Sequence, residues 1–208
     1  MEPTFDLFET MRTTRSMRRL KPDPVPDELI ARILEAGTCA ASGGNSQNWR
    51  FLLIRDPTVK EAAAVWWRKA WSETAGPRYR AGGPPPGMDA DKFGRLLDAV
   101  DHLAEHIHEA PVWIVPCWAG ARGSGASIYP AVQNMLLAAR ALGLGATLTT
   151  VYLMHEKEAE AAMGIAEGFH SYAILPIGYP RGKFGPVRRA PLSEVVYDGA
   201  WGKPYAVP

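Results

Sequence analysis

The sequence predicts an α+β fold in one domain, and three observations support this. Segments with helical and with strand periodicity alternate irregularly, whereas a doubly wound sheet is built from βαβ units of regular length. The Gly-x-Gly-x-x-Gly dinucleotide fingerprint is absent, because Gly143 and Gly145 precede a predicted strand instead of opening a helix. The chain has 208 residues, 47% of them hydrophobic, which is enough for one core. We therefore expect a single domain over residues 1–208.

The first third of the chain predicts three helices and one strand. Apolar residues recur at helical spacing from Phe5, and again after Pro26, a residue typical of a helix start. Gly37 predicts the end of the second helix. A short apolar run predicts a strand, and Asp56-Pro57-Thr58 predicts the start of a third helix. The predicted bounds are 5–11, 26–37 and 56–71 for the helices and 51–54 for the strand.

The rest of the chain predicts a longer series of elements. Residues 72–91 are rich in glycine and proline and predict a mobile insertion or lid. The helix expected at 127–142 is apolar almost all round, so it should be buried in the fold or at a subunit interface. The tail, residues 180–208, carries Trp201 and is expected to dock on another surface. Further helices are predicted at 91–109 and 156–163, and further strands at 111–118, 146–153 and 171–178.

Charge and cysteine content exclude several classes of partner and location. The net charge of +1 argues against nucleic-acid or acidic-membrane partners. Cys39 and Cys117 make no disulfide framework, so we expect two buried thiols and a cytoplasmic location. The N-terminus has no basic region followed by an apolar one. No apolar run approaches the ~20 residues of a membrane span.

The loop 42–49 is the first candidate binding element. It places glycines and small residues directly before the predicted strand, and such residues let a flat ligand approach the backbone closely. Asn45 and Gln47 each offer a donor and an acceptor. These groups suit the edge of a flavin ring, which mixes carbonyls and ring nitrogens. The alternative is ordinary turn chemistry for both residues.

Two basic segments, far apart in sequence, are the second candidate. Arg15, Ser16 and Arg18 lie near the N-terminus, and Arg188 and Arg189 lie in the tail. Arginine forks match the acceptors of a phosphate monoester through charge-assisted hydrogen bonds. Both segments could serve one phosphate if the fold brings them together. The alternative is two solvated basic faces.

Five segments, taken in order, resemble the nitroreductase family of FMN-dependent oxidoreductases over nearly the whole chain. Residues 14–20 are similar to an Arg-Arg-Ser-x-Arg-x-Phe signature, and residues 41–49 to a Pro-Ser-x-x-Asn-x-Gln-Pro-Trp signature. Residues 131–145 are similar to a central helix that ends in Ala-x-x-Leu-Gly-Leu-Gly, and residues 177–180 and 188–192 to C-terminal elements. The resemblance implies a central, mostly antiparallel sheet surrounded by helices. It also implies an intertwined homodimer with the flavin between subunits.

The resemblance further implies a site and a reaction. Hydride would pass from NADH or NADPH to flavin N5, and then to a small conjugated acceptor such as a nitroaromatic, quinone or enone, by a ping-pong mechanism. The chemistry would belong largely to the cofactor, so no catalytic side chain is assigned. A backbone N–H near Leu148, Thr149 and Thr150 would point at N5, supplemented by a threonine hydroxyl. The FMN-binding residues implied are Arg15, Ser16, Arg18, Asn45, Gln47, Leu148, Thr149, Thr150, Arg188 and Arg189.

The chain departs from the family pattern at two positions. Thr14 stands where the family has its first arginine, which removes one phosphate contact that Arg12 or Arg19 would have to replace. Asn48 stands in place of a proline, which makes the ring-binding loop less rigid.

One further hypothesis concerns aromatic residues, and two concern alternative functions. The aromatic residues Trp66, Trp67, Trp71 and Tyr79 either pack in the core or cap the pocket. Adjacent Trp66 and Trp67 cannot share one helical face. A non-enzymatic flavin-sequestering protein of the same fold is one alternative function. A zinc hydrolase is a remote one, because His102, Glu105 and His106 match the pattern His-x-x-Glu-His.

Overall fold

An antiparallel sheet forms the centre of the computed structural model, which describes residues 6–123 and 125–206. The strands in these ranges are β1 (Trp49–Ile54), β2 (Val112–Ala119), β3 (Gly145–Ala146), β4 (Phe169–Ser171) and β5 (Leu175–Gly178). The strand order is β1-β2-β5-β3, and β4 also pairs with β2. These pairings are all antiparallel. The prediction of an α+β fold with a mostly antiparallel sheet is confirmed.

Helices cover this sheet on both faces. Residues Trp113 and Val115 of β2 point into a core shared with the third, fifth and seventh helices. The intervening Val112 and Ile114 point into a second core, shared with the second and sixth helices. The alternation follows from the two-residue period of a strand. The α-helices of the described residues are α1 (Leu7–Thr13), α2 (Asp27–Thr38), α3 (Pro57–Ala70), α4 (Gly76–Gly82), α5 (Ala90–His106), α6 (Ile128–Ala141), α7 (Glu156–Ala162) and α8 (Leu192–Val195).

The N-terminal helices begin and end close to their predicted bounds, although one of them ends for a different reason. Phe5 lies outside the described residues, and the side chain of Asp6 caps α1 by accepting a hydrogen bond from the N–H of Glu9 at 2.7 Å. Gly37 does not stop α2, because it lies inside the helix and is buried. A Cβ at Gly37 would lie 2.9 Å from Cγ of Met135 on α6. The glycine therefore serves close packing of two helices.

The segment 72–91 is more ordered in secondary structure than its composition predicts. A π-helical turn, Trp71–Ala75, continues α3 directly into α4. Residues 72–82 are therefore helical, and only residues 83–89 lack helix before α5 begins. That the segment is a mobile insertion or lid stays a prediction. Two contacts with Asp101 of α5 hold this segment in place. The buried indole of Trp71 donates to the Asp101 carboxylate, and Arg80 pairs with the same carboxylate at 2.7 Å.

Two predicted strands are shorter than expected. The strand predicted at 146–153 ends after Ala146, and a 3-10 helix forms at Val151–His155. Between them, Thr149 pairs with Ile174 as an isolated bridge. The strand predicted at 171–178 is divided into β4 and β5, because Tyr172 bonds to Pro116 and Ile174 bonds to Thr149. A change of partner breaks the ladder at this point.

The burial of cysteine and tryptophan residues departs from expectation at one position. Cys117 is buried, and burial raises the pKa of its thiol to about 12. Cys39 is exposed at the end of α2, so the prediction of two buried thiols is wrong for that residue. Trp67 is fully buried, as core packing requires, whereas Trp66 is half-buried and its ring lies 5.6 Å from that of His155.

None of the helices in the described part of the chain is both long enough and apolar enough to cross a membrane.

Candidate functional site

A cleft of about 220 Å³ lies where residues 14–16, the second half of α6 and residues 144–148 meet. The N–H of Met17 donates to the carbonyl of Ala146 at 2.9 Å, which fixes the N-terminal segment beside β3. This approach depends on Gly145, because a Cβ there would lie 2.9 Å from Cβ of Met17. The lining residues are Met11, Thr14, Arg15, Ser16, Gln133, Leu136, Arg140, Leu144, Ala146, Thr147, Leu148, Phe184 and Arg189.

The tail adds the remaining wall of the cleft by running antiparallel to the N-terminal segment. The N–H of Arg181 donates to the carbonyl of Arg19, and the N–H of Val187 donates to the carbonyl of Arg12, both at 2.9 Å. This register places Phe184 and Arg189 over the cleft. The two basic segments predicted from the sequence therefore meet through Arg15, Ser16 and Arg189.

The cleft is strongly cationic. Its lining includes the arginines Arg15, Arg140 and Arg189 and the hydroxyl residues Thr14, Ser16 and Thr147, of which Thr14 already donates its hydroxyl to the carbonyl of Thr10. Its described lining contains no carboxylate. Positive charge and hydroxyl donors in such a lining match an anion with several acceptor oxygens.

Arg140 is the residue of this cleft that sequence reasoning missed. Its side chain is 6% exposed, and its Nε donates to Oγ1 of Thr13 at 2.9 Å. The ring of Phe184 lies 4.2 Å from the guanidinium carbon. Burial lowers the pKa of Arg140, and Glu9 acts in the opposite direction. A signal was present in the sequence, because Arg140 is the one charged residue of α6.

Two predicted phosphate ligands do not line the cleft. Arg188 is exposed, and its carbonyl accepts a hydrogen bond from the side chain of Arg189 at 2.8 Å. Arg18 is half-buried and lines a second, smaller cleft with His102 and His106 of α5. Burial lowers the pKa of Arg18, the nearby phenol of Tyr79 raises it, and Arg15 lowers it further.

The two predicted ring-binding amides lie together but away from the cleft. Asn45 and Gln47 are exposed, with φ of 53° and 49°, and Nε2 of Gln47 donates to Oδ1 of Asn45 at 3.1 Å. Non-glycine residues with positive φ are uncommon and cluster at functional sites. The loop is held against the start of α6, because the N–H of Gly43 donates to Oγ of Ser127 at 3.1 Å.

The length of α6 separates these amides from the cationic cleft in one chain. Ser127 is the N-cap of α6 and Arg140 lies in its last turn, so about 20 Å of helix lies between them at about 1.5 Å per residue. The structure brings together the predicted phosphate ligands Arg15, Ser16 and Arg189. It does not bring Asn45 and Gln47 to them within one chain.

The predicted N5 donor segment lies beside the cleft, but one of its residues is already paired. The N–H of Thr149 donates to the carbonyl of Ile174 at 3.1 Å, and its hydroxyl accepts from the indole of Trp67 at 2.8 Å. The N–H of Thr149 is therefore not the open donor expected, whereas the bond from Trp67 uses only an acceptor site of its hydroxyl. Within residues 6–123 and 125–206, no hydrogen bond is made by the backbone N–H of Leu148 or Thr150.

The predicted zinc motif does not assemble. The rings of His102 and His106 stack at 4.3 Å, and Nδ1 of His106 bonds to Glu109 at 2.7 Å. Burial lowers the pKa of His102, and Arg19 lowers it further. Among the described residues, the one set of three potential ligands within 4.8 Å is a different one, Glu156, Glu160 and His170.

The chain was also compared with known proteins. A model of the Nitroreductase family matches residues 11–179. An NADH dehydrogenase from Thermus thermophilus is 30% identical over 210 residues, which is 93% of this chain and 96% of that protein.

Solved structures of similar proteins include two that contain FMN. A putative nitroreductase from Desulfovibrio desulfuricans in complex with FMN is 26% identical, with a TM-score of 0.66 over 95% of this chain and 98% of that one. An iodotyrosine deiodinase bound to FMN and 3-iodo-L-tyrosine is 25% identical, with a TM-score of 0.69 over 94% of this chain and 99% of that one.

Proposed function

The chain belongs to the nitroreductase family, and from this premise we propose that it is an FMN-dependent oxidoreductase using NADH or NADPH. The proposed acceptor is a small conjugated molecule such as a nitroaromatic, quinone or enone, reduced in a ping-pong cycle. The similar proteins named above include two bound to FMN and one named as an NADH dehydrogenase. The deiodinase among them shows that the same fold also serves another reaction.

The observation that carries the proposal is the cationic cleft. The terminal phosphate of FMN is a dianion at neutral pH, and it needs several donors to replace its water shell. Arg15, Arg189 and Arg140 supply charge, and Ser16 supplies a neutral donor, from three separate segments of the chain. The residues present therefore fit a phosphate monoester.

The flavin ring is proposed to lie beyond this phosphate site, against residues 147–150. When bound, FMN supplies the chemistry, accepting a hydride at N5 and passing it to the acceptor. The chain contributes binding and orientation, so no acid–base triad is required. The backbone N–H groups of Leu148 and Thr150 are the proposed donors to N5, because that of Thr149 is paired with Ile174.

We propose that the site is completed in a homodimer. Asn45 and Gln47 lie at the opposite end of α6 from the cleft, so a second copy is needed to bring such amides to the ring. Apolar side chains at both ends of the chain lack cover in one copy, since Phe8 is 67% exposed and Trp201 is 91% exposed. Large exposed apolar groups of this kind mark protein interfaces.

The helix α4 is proposed to cap the acceptor side of the site. Tyr79 is 55% exposed, packs 5.8 Å from the ring of Trp71, and lies near enough to Arg18 to affect its pKa. An exposed phenol is suited to contact a flat acceptor. The hydrogen bond from the buried Trp71 to the half-buried Asp101 would hold this helix in place.

The visible absorption spectrum of the freshly purified protein tests the proposal. We expect an oxidised-flavin spectrum that bleaches anaerobically on addition of NADPH or NADH, with the faster donor identified by its bleaching rate. A flavin spectrum that neither nucleotide bleaches would favour the sequestering role. A colourless protein that takes up no added FMN would refute the flavin function.

A further inference from the structure

We propose that Arg140 binds the FMN phosphate and takes the place of the arginine that this chain lacks at Thr14. The inference rests on the proposed function, and it deepens it by naming a phosphate ligand on the central helix. Among the described residues that line the cleft, Arg140 is the cation carried by a helix, whereas Arg15 and Arg189 lie on irregular segments.

The residues that could have compensated from nearby positions are engaged elsewhere. Arg12 pairs with Glu9 at 3.5 Å, and Arg19 donates to the carbonyl of Asp98 at 3.5 Å. Neither side chain lines the cleft, whereas Thr14 and Arg140 both do. The cation that shares the cleft with Thr14 is therefore supplied by α6.

The position of Arg140 makes it an effective anion ligand. It is 6% exposed, so its attraction for an anion is screened less than that of the exposed Arg15 and Arg189. The Nε bond to Thr13 and the ring of Phe184 hold the guanidinium in one orientation. A guanidinium group that is already held in one orientation loses less conformational entropy when it binds a phosphate.

Arg140 also has a structural interpretation, which the experiment must separate from binding. The bond to Thr13 joins α6 to the last turn of α1, so removing Arg140 could disturb the cleft as a whole. FMN and riboflavin differ only by the phosphate. A residue that binds the phosphate affects FMN alone, whereas a residue that shapes the cleft affects both flavins.

The test is a titration of flavin-free protein with FMN and with riboflavin, followed by flavin fluorescence. We expect Arg140→Met to weaken FMN binding by about tenfold or more, the effect of losing one charge-assisted hydrogen bond, and to leave riboflavin binding unchanged. Adding Thr14→Arg to Arg140→Met should restore FMN binding, since it returns a cation to the same cleft. Arg140→Lys, which keeps the charge, should lose several-fold for FMN alone and serves if the methionine variant does not fold.

The matched control is Lys60→Met. Lys60 is a buried cation of similar exposure, 5%, whose Nζ donates to the carbonyl of Ala110 away from the cleft. It should lower stability without separating FMN from riboflavin. Equal losses for both flavins in the Arg140 variants, or FMN binding as tight as in the wild type, would overturn the role of Arg140. A wild-type protein that binds neither flavin would instead refute the proposed function itself.

Discussion

The indole N–H of Trp67 donates a 2.8 Å hydrogen bond to the hydroxyl of Thr149, and both residues are buried. The bond joins α3 to the segment that follows β3 and borders the cleft. Since Thr149 also exchanges two backbone bonds with Ile174, this segment is fixed from both sides. Its rigidity is what would hold the neighbouring N–H groups of Leu148 and Thr150 in position for a ligand.

Breaking this bond should destabilise the protein. Thr149→Val preserves the shape of the side chain but leaves the buried indole N–H without an acceptor, which costs about 1–3 kcal/mol. Trp67→Phe removes the donor and should cost at least as much. In the double variant the loss should be smaller than the sum, because the hydrogen bond can be lost only once. Urea unfolding of the three variants measures this coupling, and strictly additive losses would contradict it.

Two helical glycines should respond to alanine in opposite directions. Gly37 of α2 packs on Met135, and a Cβ there would lie 2.9 Å from Cγ, so Gly37→Ala should cost about 1–3 kcal/mol through overpacking. A Cβ at Gly94 of α5 would have open space around it, with no neighbouring atom within 4 Å. Gly94→Ala should therefore stabilise by up to about 1 kcal/mol through helix propensity. Thermal unfolding of both variants checks the pair, and stabilisation by both would show that α2 and α6 have room to separate.

The elements with strong periodicity were predictable from the sequence, and those set by tertiary partners were not. The apolar helix α6 and the strand β2 lie within one or two residues of prediction, because each buries a long continuous run. The strand predicted at 146–153 does not form as one strand, because among the described residues its only pairing after Ala146 is the isolated bridge of Thr149 to Ile174. No local sequence pattern encodes this long-range contact. The continuation of α3 into α4 was not predicted because Gly76 and Pro77 usually break a helix, although proline in the first turn of α4 suits one.

The candidate site was predictable where charge lies in short motifs. Arg15, Ser16 and Arg189 stand in the two basic segments, and they meet in one cleft. Arg18 and Arg188 belong to the same motifs but do not line this cleft, since Arg18 lines the second cleft and Arg188 is exposed. Arg140 escapes sequence reasoning because its role depends on the helix–segment packing that places Thr13 and Phe184 around it.

Glu156 should contribute to the pH dependence of stability. Burial raises the pKa of this carboxyl, but the hydrogen bond and charge of Arg122, and then the bond from His170, lower it, so the net pKa lies below its usual value. Because the pKa of Glu156 is lower in the folded than in the unfolded protein, its ionised carboxylate stabilises the folded state at pH values above the unfolded-state pKa. This stabilisation is lost as the pH falls through the folded-state pKa. Glu156→Gln should cost about 1–2 kcal/mol near pH 5.5, and the difference from wild type should shrink toward pH 3.

The comparison requires urea unfolding at several pH values in that range. Glu158→Gln is the control, because Glu158 is exposed on the same helix. It should leave the profile unchanged. A Glu156→Gln variant with the same acid limb as the wild type would show that the pair with Arg122 does not stabilise the fold.

Adjacent arginines of the tail should differ in their effect on flavin binding. Arg189 lines the cleft, whereas Arg188 presents its carbonyl to the Arg189 side chain. Arg189→Met should weaken FMN binding by about tenfold, as expected for one charge-assisted contact, and Arg188→Met should have little effect. Fluorescence titration with FMN at fixed salt measures both, and equal losses would mean that long-range charge, not contact, is responsible.

The end of the tail, beyond Pro191, contributes no residue to the lining of the cleft in one copy. Phe184 and Arg189 complete the cleft, so a truncation after Gly182 would remove phosphate contacts as well as any dimer contact. A truncation after Pro191 is the more specific test, because it keeps both residues and removes α8 and the exposed Trp201.

If the tail packs against a second copy of the chain, the variant truncated after Pro191 should sediment as a monomer or become insoluble, and it should hold little FMN. Since its phosphate cleft is intact, loss of flavin would then be caused by loss of the partner. Analytical ultracentrifugation at the flavin absorbance measures both quantities together, and a flavin-replete dimer of the truncated chain would refute the role of the tail in dimerisation.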